Sequence, residues 1–132
     1  MEARIVTAGY SGKPLAAKLG IKPGLKVYVD GDAPELDLGE FTTRMPKQAD
    51  IIVTFCSDRA RLDKRIDTLI ERTVTNGAIW VCWPKKASGV QTDLNENVVR
   101  DIALAAGVVD VKVAAIDETW SGLKLVRRLK DR

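Results

Sequence analysis

Residues 76–94, NGAIWVCWPKKASGVQTDL, carry a turn, a strand, a lysine-bearing loop and the start of a helix, in that order. Ala78 to Trp83 is an unbroken apolar run with β-branched and aromatic side chains, which suits a strand covered on both faces and therefore a central one. Pro84 has no N–H to give to a ladder, so the strand ends there. Lys85, Lys86, Ser88 and Gly89 fall in the loop past its carboxyl end, the edge at which open parallel sheets hold ligands.

Upstream, Asp50 to Cys56 (DIIVTFC) repeats the buried-strand pattern. Ser57 is placed to cap a following helix whose stripe is Leu62, Ile66, Leu69, Ile70 and Val74. Asn76-Gly77 ends that helix and launches the central strand. Downstream, Asp93 with Glu96 has the spacing of a capping box, opening a helix that turns Leu94, Val98, Ile102 and Ala106 inward until Gly107 stops it. Val109 to Ile116 is a further strand and Leu123 to Leu129 the last. The connection between them, Asp117 to Gly122, is too short for a crossover, so these two are antiparallel, whereas helical crossovers make the earlier strands parallel neighbours. Lys124 and Arg128 alternate along the last strand and would guard it, if exposed, against pairing with a second copy.

Toward the amino terminus the signals weaken. A short edge strand is expected at 4–7, a turn at Gly9-Tyr10-Ser11-Gly12, and a short helix opened by Pro14 and stopped by Gly20. Pro23-Gly24 is the next turn, followed by a strand over Lys26 to Asp30 (KVYVD). Residues 31–48 are acidic and poorly periodic, with room for a turn of helix at Glu35 to Leu38 and a short strand at Phe41 to Arg44.

A length of 132 residues supports one domain over 1–132, enough for a sheet with helices on it but short for a two-half dinucleotide fold. Hydrophobic residues at 45% and charged residues at 30% fit a soluble globular chain. No run approaches the roughly 20 apolar residues of a membrane span, and MEARIVTAGYSG lacks a signal-peptide core, so cytoplasmic residence is expected. Cys56 and Cys82 lie in or at the end of apolar strands and read as reduced, buried thiols. With two cysteines and no histidine, neither a disulfide nor a metal site is expected, and imidazole-based triads are excluded. The net charge of +3 is unevenly spread. Asp30, Asp32, Glu35, Asp37 and Glu40 form an acidic segment; Arg59, Arg61, Lys64 and Arg65 open one helix; Lys124, Arg127, Arg128, Lys130 and Arg132 crowd the tail. These runs read as solvated faces rather than a polyanion surface.

GIKPGLKVYVDG, TNGAIWVCWPK and the order strand, helix, strand, helix, strand, antiparallel strand resemble the second half of a class I methyltransferase fold joined to a reduced first half. That resemblance implies an α/β, three-layer, mostly parallel Rossmann-like sheet of five to six strands with an antiparallel C-terminal strand. Such enzymes carry a glycine-rich turn after the first strand and an acidic residue after the second to hold the ribose. Here the turn is Gly31-Asp32-Ala33-Pro34, so neither S-adenosylmethionine nor any other cofactor is expected, and methyl transfer is not. GYSGKPLAAKLGIKPG, WPKKASGVQTDLNENVVRD and VDVKVAAIDETWSGLKLV also resemble the successive signatures of a family of small bacterial proteins built on a domain of unknown function. That second resemblance implies no particular reaction.

Four loops, Asp30 to Pro34, Cys56 to Arg59, Pro84 to Thr92 and Asp117 to Gly122, are expected on one edge of the sheet. Lys85 and Lys86 bring ammonium charge, Ser88 a hydroxyl, and Ser88-Gly89 a backbone that a ligand can approach closely. With Asp117, Glu118 and Trp120 they form the candidate ligand site. Asp93 argues against an anion there, because a capping carboxylate already complements that helix start. Trp120 either folds back onto the sheet edge or stacks on a ligand, and folding back is the expectation. Trp80 reads as core, and Trp83 as able to line the cleft. Tyr10, Ser11 and Lys13 form a second, phosphate-like loop ahead of a helix. Cys56 reads as buried packing rather than a nucleophile. No catalytic or metal-binding residue is assigned. The expected function is a non-catalytic binding or interaction module that holds a small anionic ligand or a protein partner segment at the carboxyl edge. The alternatives are a small enzyme using a lysine or carboxylate at the same edge, and weak nucleic-acid binding through the basic helix and tail.

Overall fold

The computed structural model describes residues 14–132, so the edge strand expected at 4–7 and the turn at 9–12 lie outside the described residues. In chain order the elements are α1 (Leu15–Lys18), β1 (Val27–Gly31), β2 (Ala49–Phe55), α2 (Arg59–Glu71), β3 (Thr73–Pro84), α3 (Glu96–Ala106), β4 (Val108–Ala115) and β5 (Trp120–Arg127). The strands form one five-stranded sheet in the order β1-β2-β3-β5-β4. β1, β2 and β3 are parallel neighbours, and β5 is antiparallel to both β3 and β4. β4 therefore points the same way as β3, and the loops leaving β1, β2, β3 and β4 share one edge. This is the mixed, mostly parallel α/β sheet that the pattern predicts, with the antiparallel last strand.

Period-two alternation along β3 divides the interior. Ile79, Val81 and Trp83 face α2 and α3, where Leu62, Ile66, Leu69, Val99, Ile102 and Ala103 close over them. Trp80 and Cys82 face the other way, under Leu19 of the α1 end and the segment carrying Leu36 and Leu38. Each such aliphatic side chain contributes about 1.5–3 kcal/mol when removed from water. The indole N–H of Trp80 donates to the Leu19 carbonyl at 3.0 Å, which satisfies the one polar atom of a fully buried ring and ties α1 to the sheet. Trp83 is 5% exposed within the α2/α3 core, so it does not line a cleft. Arg100 of α3 binds both Glu96 and Asp110, fixing that helix to β4. Among the described residues no helix is long and apolar enough to cross a membrane.

Several local expectations give way to tertiary contacts. Helix α2 is capped by Asp58, not Ser57: its carboxylate accepts from the Arg61 amide at 2.8 Å, and a charged cap also complements the helix dipole. Asn95, not Asp93, caps α3, accepting from the Val98 amide at 2.9 Å. Asp93 turns instead to the neighbouring helix, where it accepts from the Arg59 amide at 2.7 Å. Asn76-Gly77 does not end α2. It lies inside β3, where a Cβ on Gly77 would stand 2.5 Å from the Asp50 carbonyl oxygen, so glycine is kept for close strand contact rather than for a turn. Val74 accordingly belongs to β3. Residues 35–38 form no helix, and Leu38 packs against the sheet at 1% exposed. The expected strand at 41–44 is reduced to one parallel bridge, Tyr28 to Thr42. β5 sits inside the sheet between β3 and β4, so among the described residues β4 is the edge strand on that side, and its register slips between Asp110 and Lys112. Such a slip makes an edge irregular and resists pairing with another chain.

Candidate functional site

The lysine loop and the tryptophan hairpin are neighbours. Pro84 is opposite Trp120 in the β3/β5 ladder, and the Lys85 amide donates to the Thr119 carbonyl at 2.8 Å. Most of the polar groups there are spent on shaping the two loops. The Ser88 hydroxyl donates to the Lys85 carbonyl at 2.7 Å and accepts from the Val90 amide at 3.1 Å. Gly89 takes φ +78° to close that turn. Asp117 accepts from the Thr119 and Trp120 amides at 2.8 and 2.7 Å, an Asx turn that builds the hairpin. Trp120 folds back, meeting Phe55 edge to face with ring centroids 5.0 Å apart. Lys85 is half-buried, Lys86 and Glu118 are exposed, and among the described residues neither lysine forms an ion pair. Tyr10, Ser11 and Lys13 lie outside the described residues.

A second cluster lies two strands away on the same edge, and the sequence reading passed over it. Asp30, the penultimate residue of β1, is 4% exposed rather than part of a solvated acidic run. Its carboxylate accepts from the Tyr28 hydroxyl (2.9 Å), the Thr54 hydroxyl (2.8 Å), Arg61 (3.0 Å) and Arg65 (2.5 and 3.4 Å). Local geometry explains the convergence. Thr54 is the register partner of Asp30, Tyr28 precedes it by two on the same face, and Arg61 and Arg65 are one turn apart on the helix that returns over both strands. Burial pushes the Asp30 carboxyl up, but hydrogen bonds from Thr54, Arg65 and Tyr28 outweigh it and hold the group below the usual carboxylate range. Burial and the hydrogen bond to Asp30 raise the Tyr28 phenol. The fully buried Cys56 thiol is likewise raised, chiefly by burial, despite the Thr54 hydroxyl and the nearby Arg61 charge. The legible signal was a pair of polar residues at matched ends of two apolar strands.

By topology the crevice of this sheet falls between β1 and β2, where the chain diverges. After β1 it runs over one face, through Leu36 and Leu38, and after β2 it turns into α2 on the other. Ligands of open α/β sheets bind at such a reversal. Several other arginines are engaged: Arg59 with Asp63 at 3.7 Å, Arg127 with the Ile70 and Val74 carbonyls at 2.6 and 2.8 Å, and Arg128 with the Leu104 carbonyl at 3.3 Å. Elsewhere, a groove of about 270 Å³ runs between α2 and α3, and a cleft of about 240 Å³ opens at the opposite edge beside Lys124.

Neither a protein-family model nor a curated protein sequence matches the chain. Solved structures do. A SAM-dependent methyltransferase from Aquifex aeolicus is 13% identical with a TM-score of 0.53, the match covering 83% of this chain and 85% of that one. LepI, solved with SAH and a substrate analogue, is 10% identical with a TM-score of 0.55 over 86% of this chain and 39% of its own. Magnesium protoporphyrin IX methyltransferase from Synechocystis, solved with SAM, is 14% identical with a TM-score of 0.49 over 67% of this chain and 45% of its own. The chain thus spans less than half the length of two of these three. Two expectations are corrected by the likeness: a non-catalytic module, and the absence of S-adenosylmethionine. The second rested on a missing glycine-rich turn, whereas the structures matched at TM-scores above 0.5 are a SAM-dependent methyltransferase and LepI solved with SAH. What the coordinates share with these proteins is a methyltransferase-like, Rossmann-type fold.

Proposed function

We propose that the chain is a methyl-transfer domain that takes S-adenosylmethionine at the carboxyl edge of β1 and β2 and an anionic acceptor at the adjoining lysine loop. The supporting observation is the topological reversal at that edge, where the chain leaves two parallel strands toward opposite faces. The polar groups fit such a ligand. Asp32 is an exposed carboxylate just past β1, suited to ribose hydroxyls, and Ser57 is an exposed hydroxyl just past β2. When bound, the donor supplies an electrophilic methyl group on a sulfonium centre. Lys85 and Lys86 orient the anionic acceptor from the next loop. Glu118 is the carboxylate left to receive the acceptor's proton, because Asp117 is held by two amides. Two buried, unpaired cysteines accord with the reducing cytoplasm. Kinship with the small bacterial proteins rests on the three quoted signatures.

Calorimetric titration with S-adenosylhomocysteine tests the reading. Saturable binding that Asp32→Ala and Ser57→Ala weaken, and that Lys85→Ala leaves in place, is the expected result. A flat titration at millimolar ligand would overturn it.

A further inference from the structure

Asp30 is crowded with donors. A carboxylate offers about four lone-pair sites, yet Tyr28, Thr54, Arg61 and both contacting nitrogens of Arg65 are directed at it. The two guanidinium groups are not equivalent. Arg65 spans both oxygens, and its side chain is 29% exposed. Arg61 touches one oxygen through one terminal nitrogen at 3.0 Å, and its side chain is 36% exposed. One negative charge therefore faces two positive ones, and Arg61, the one nearer water, holds Asp30 by a single contact while lying beside the Cys56 thiol. Its terminal nitrogen also lies 3.1 Å from the place a Cβ on Gly31 would occupy, directly over the turn that leaves β1.

Resting on the methyl-donor reading, we propose that Arg61 is the anion receptor of this crevice: it leaves Asp30 to pair with the carboxylate of the ligand's amino-acid arm. Arg65, Thr54 and Tyr28 keep Asp30 satisfied when it does. A planar guanidinium fork matches a carboxylate through two parallel N–H donors, which an ammonium group does not. Arg65 is the anchor of the cluster and Arg61 its exchangeable member.

The experiment compares two probes by calorimetry: S-adenosylhomocysteine, and 5′-methylthioadenosine, which keeps the adenosyl thioether but lacks the amino-acid arm. The wild type is expected to prefer the former. Arg61→Gln should weaken S-adenosylhomocysteine by roughly tenfold or more and leave methylthioadenosine unchanged, with Arg61→Lys intermediate. Equal effects on both probes, or no effect on either, would overturn the assignment while leaving the donor reading intact. Binding of neither probe by the wild type would remove both. A thermal melt of each variant separates lost binding from lost folding.

Discussion

Replacing Asp30 by asparagine isolates the one buried carboxylate that two strands and a helix share. The change keeps size and one acceptor but removes the charge, and it sets an amide NH₂ against guanidinium donors. Breaking a fully buried ion pair costs about 3–5 kcal/mol. Arg61 and Arg65 retain 36% and 29% exposure and can turn to water, so a loss of about 2–3 kcal/mol at pH 7 is the discounted figure. With a urea slope of about 1.5–2 kcal/mol/M, the unfolding midpoint falls by roughly 1–2 M. The pH dependence carries the sharper test. The folded pKa of Asp30 is depressed relative to the unfolded chain, so its stabilisation is complete above the unfolded value of about 3.9 and is lost as pH falls through the folded value. The gap between wild type and Asp30→Asn should therefore be widest at neutral pH and narrow steadily below about pH 4. Asp110, also depressed by its Arg100 hydrogen bond, titrates in both proteins and cancels in the difference. Urea titrations at pH 7 and in the acid limb decide the matter: a gap of the same size at both, or none at pH 7, would refute the ion-pair account.

Arg65→Ala should cost about 1.5–3 kcal/mol and Arg61→Ala less than about 1 kcal/mol in the same titration; equal losses would mean that the two guanidinium groups share Asp30 evenly. Gly77→Ala should destabilise by about 1–3 kcal/mol or more, because the added methyl would meet Asp50 and Thr73 at 2.5 and 2.7 Å. An unchanged melting temperature would show that β2 and β3 separate freely there. Trp80→Phe removes the 3.0 Å bond to the Leu19 carbonyl and should cost about 1–3 kcal/mol, with faster amide exchange across α1. Exchange at the wild-type rate would mean that α1 is held by its apolar contacts alone.

The parts of the fold that were legible are those in which local chemistry and tertiary demand coincide. Ala78 to Trp83 had to be central because no charge interrupts it, and Pro84 had to end it whatever lay beside it. The errors sit where a distant residue decides between two local options. Ser57 and Asp58 can both cap a helix, and Asp93 and Asn95 can both cap the next. The choice is made by the Arg59 amide, which draws Asp93 across 34 positions of sequence. Asn-Gly is a turn by propensity, yet residues 76–77 fall inside β3, where the ladder to β2 slips between Thr73 and Ala78 and the Asp50 carbonyl leaves no room for a Cβ. Asp30 was hidden differently, since it opens an acidic run whose later members are exposed, and its burial is visible only from Thr54 and the returning helix.

The same logic bears on why a missing glycine-rich turn misled the functional reading. A turn motif reports one way of furnishing a crevice, from the strand that leads into it. In this chain the charge at that edge comes from the opposite wall, where Arg61 and Arg65, one helical turn apart on α2, reach back to Asp30. Gly31 is still required, but for another reason. A Cβ there would meet the Phe55 carbonyl oxygen at 2.5 Å, and its φ of +90° bends the chain sharply off β1. That bend sends residues 32–38 to the face opposite α2, and without it the two walls would not diverge. Position 31 thus sets the shape of the crevice while α2 sets its charge, and substitution should separate the two. Gly31→Ala should disturb folding itself, whereas Arg61→Gln should leave the fold and change only what the crevice holds. If both changes altered stability equally, the division of labour between turn and helix would be wrong.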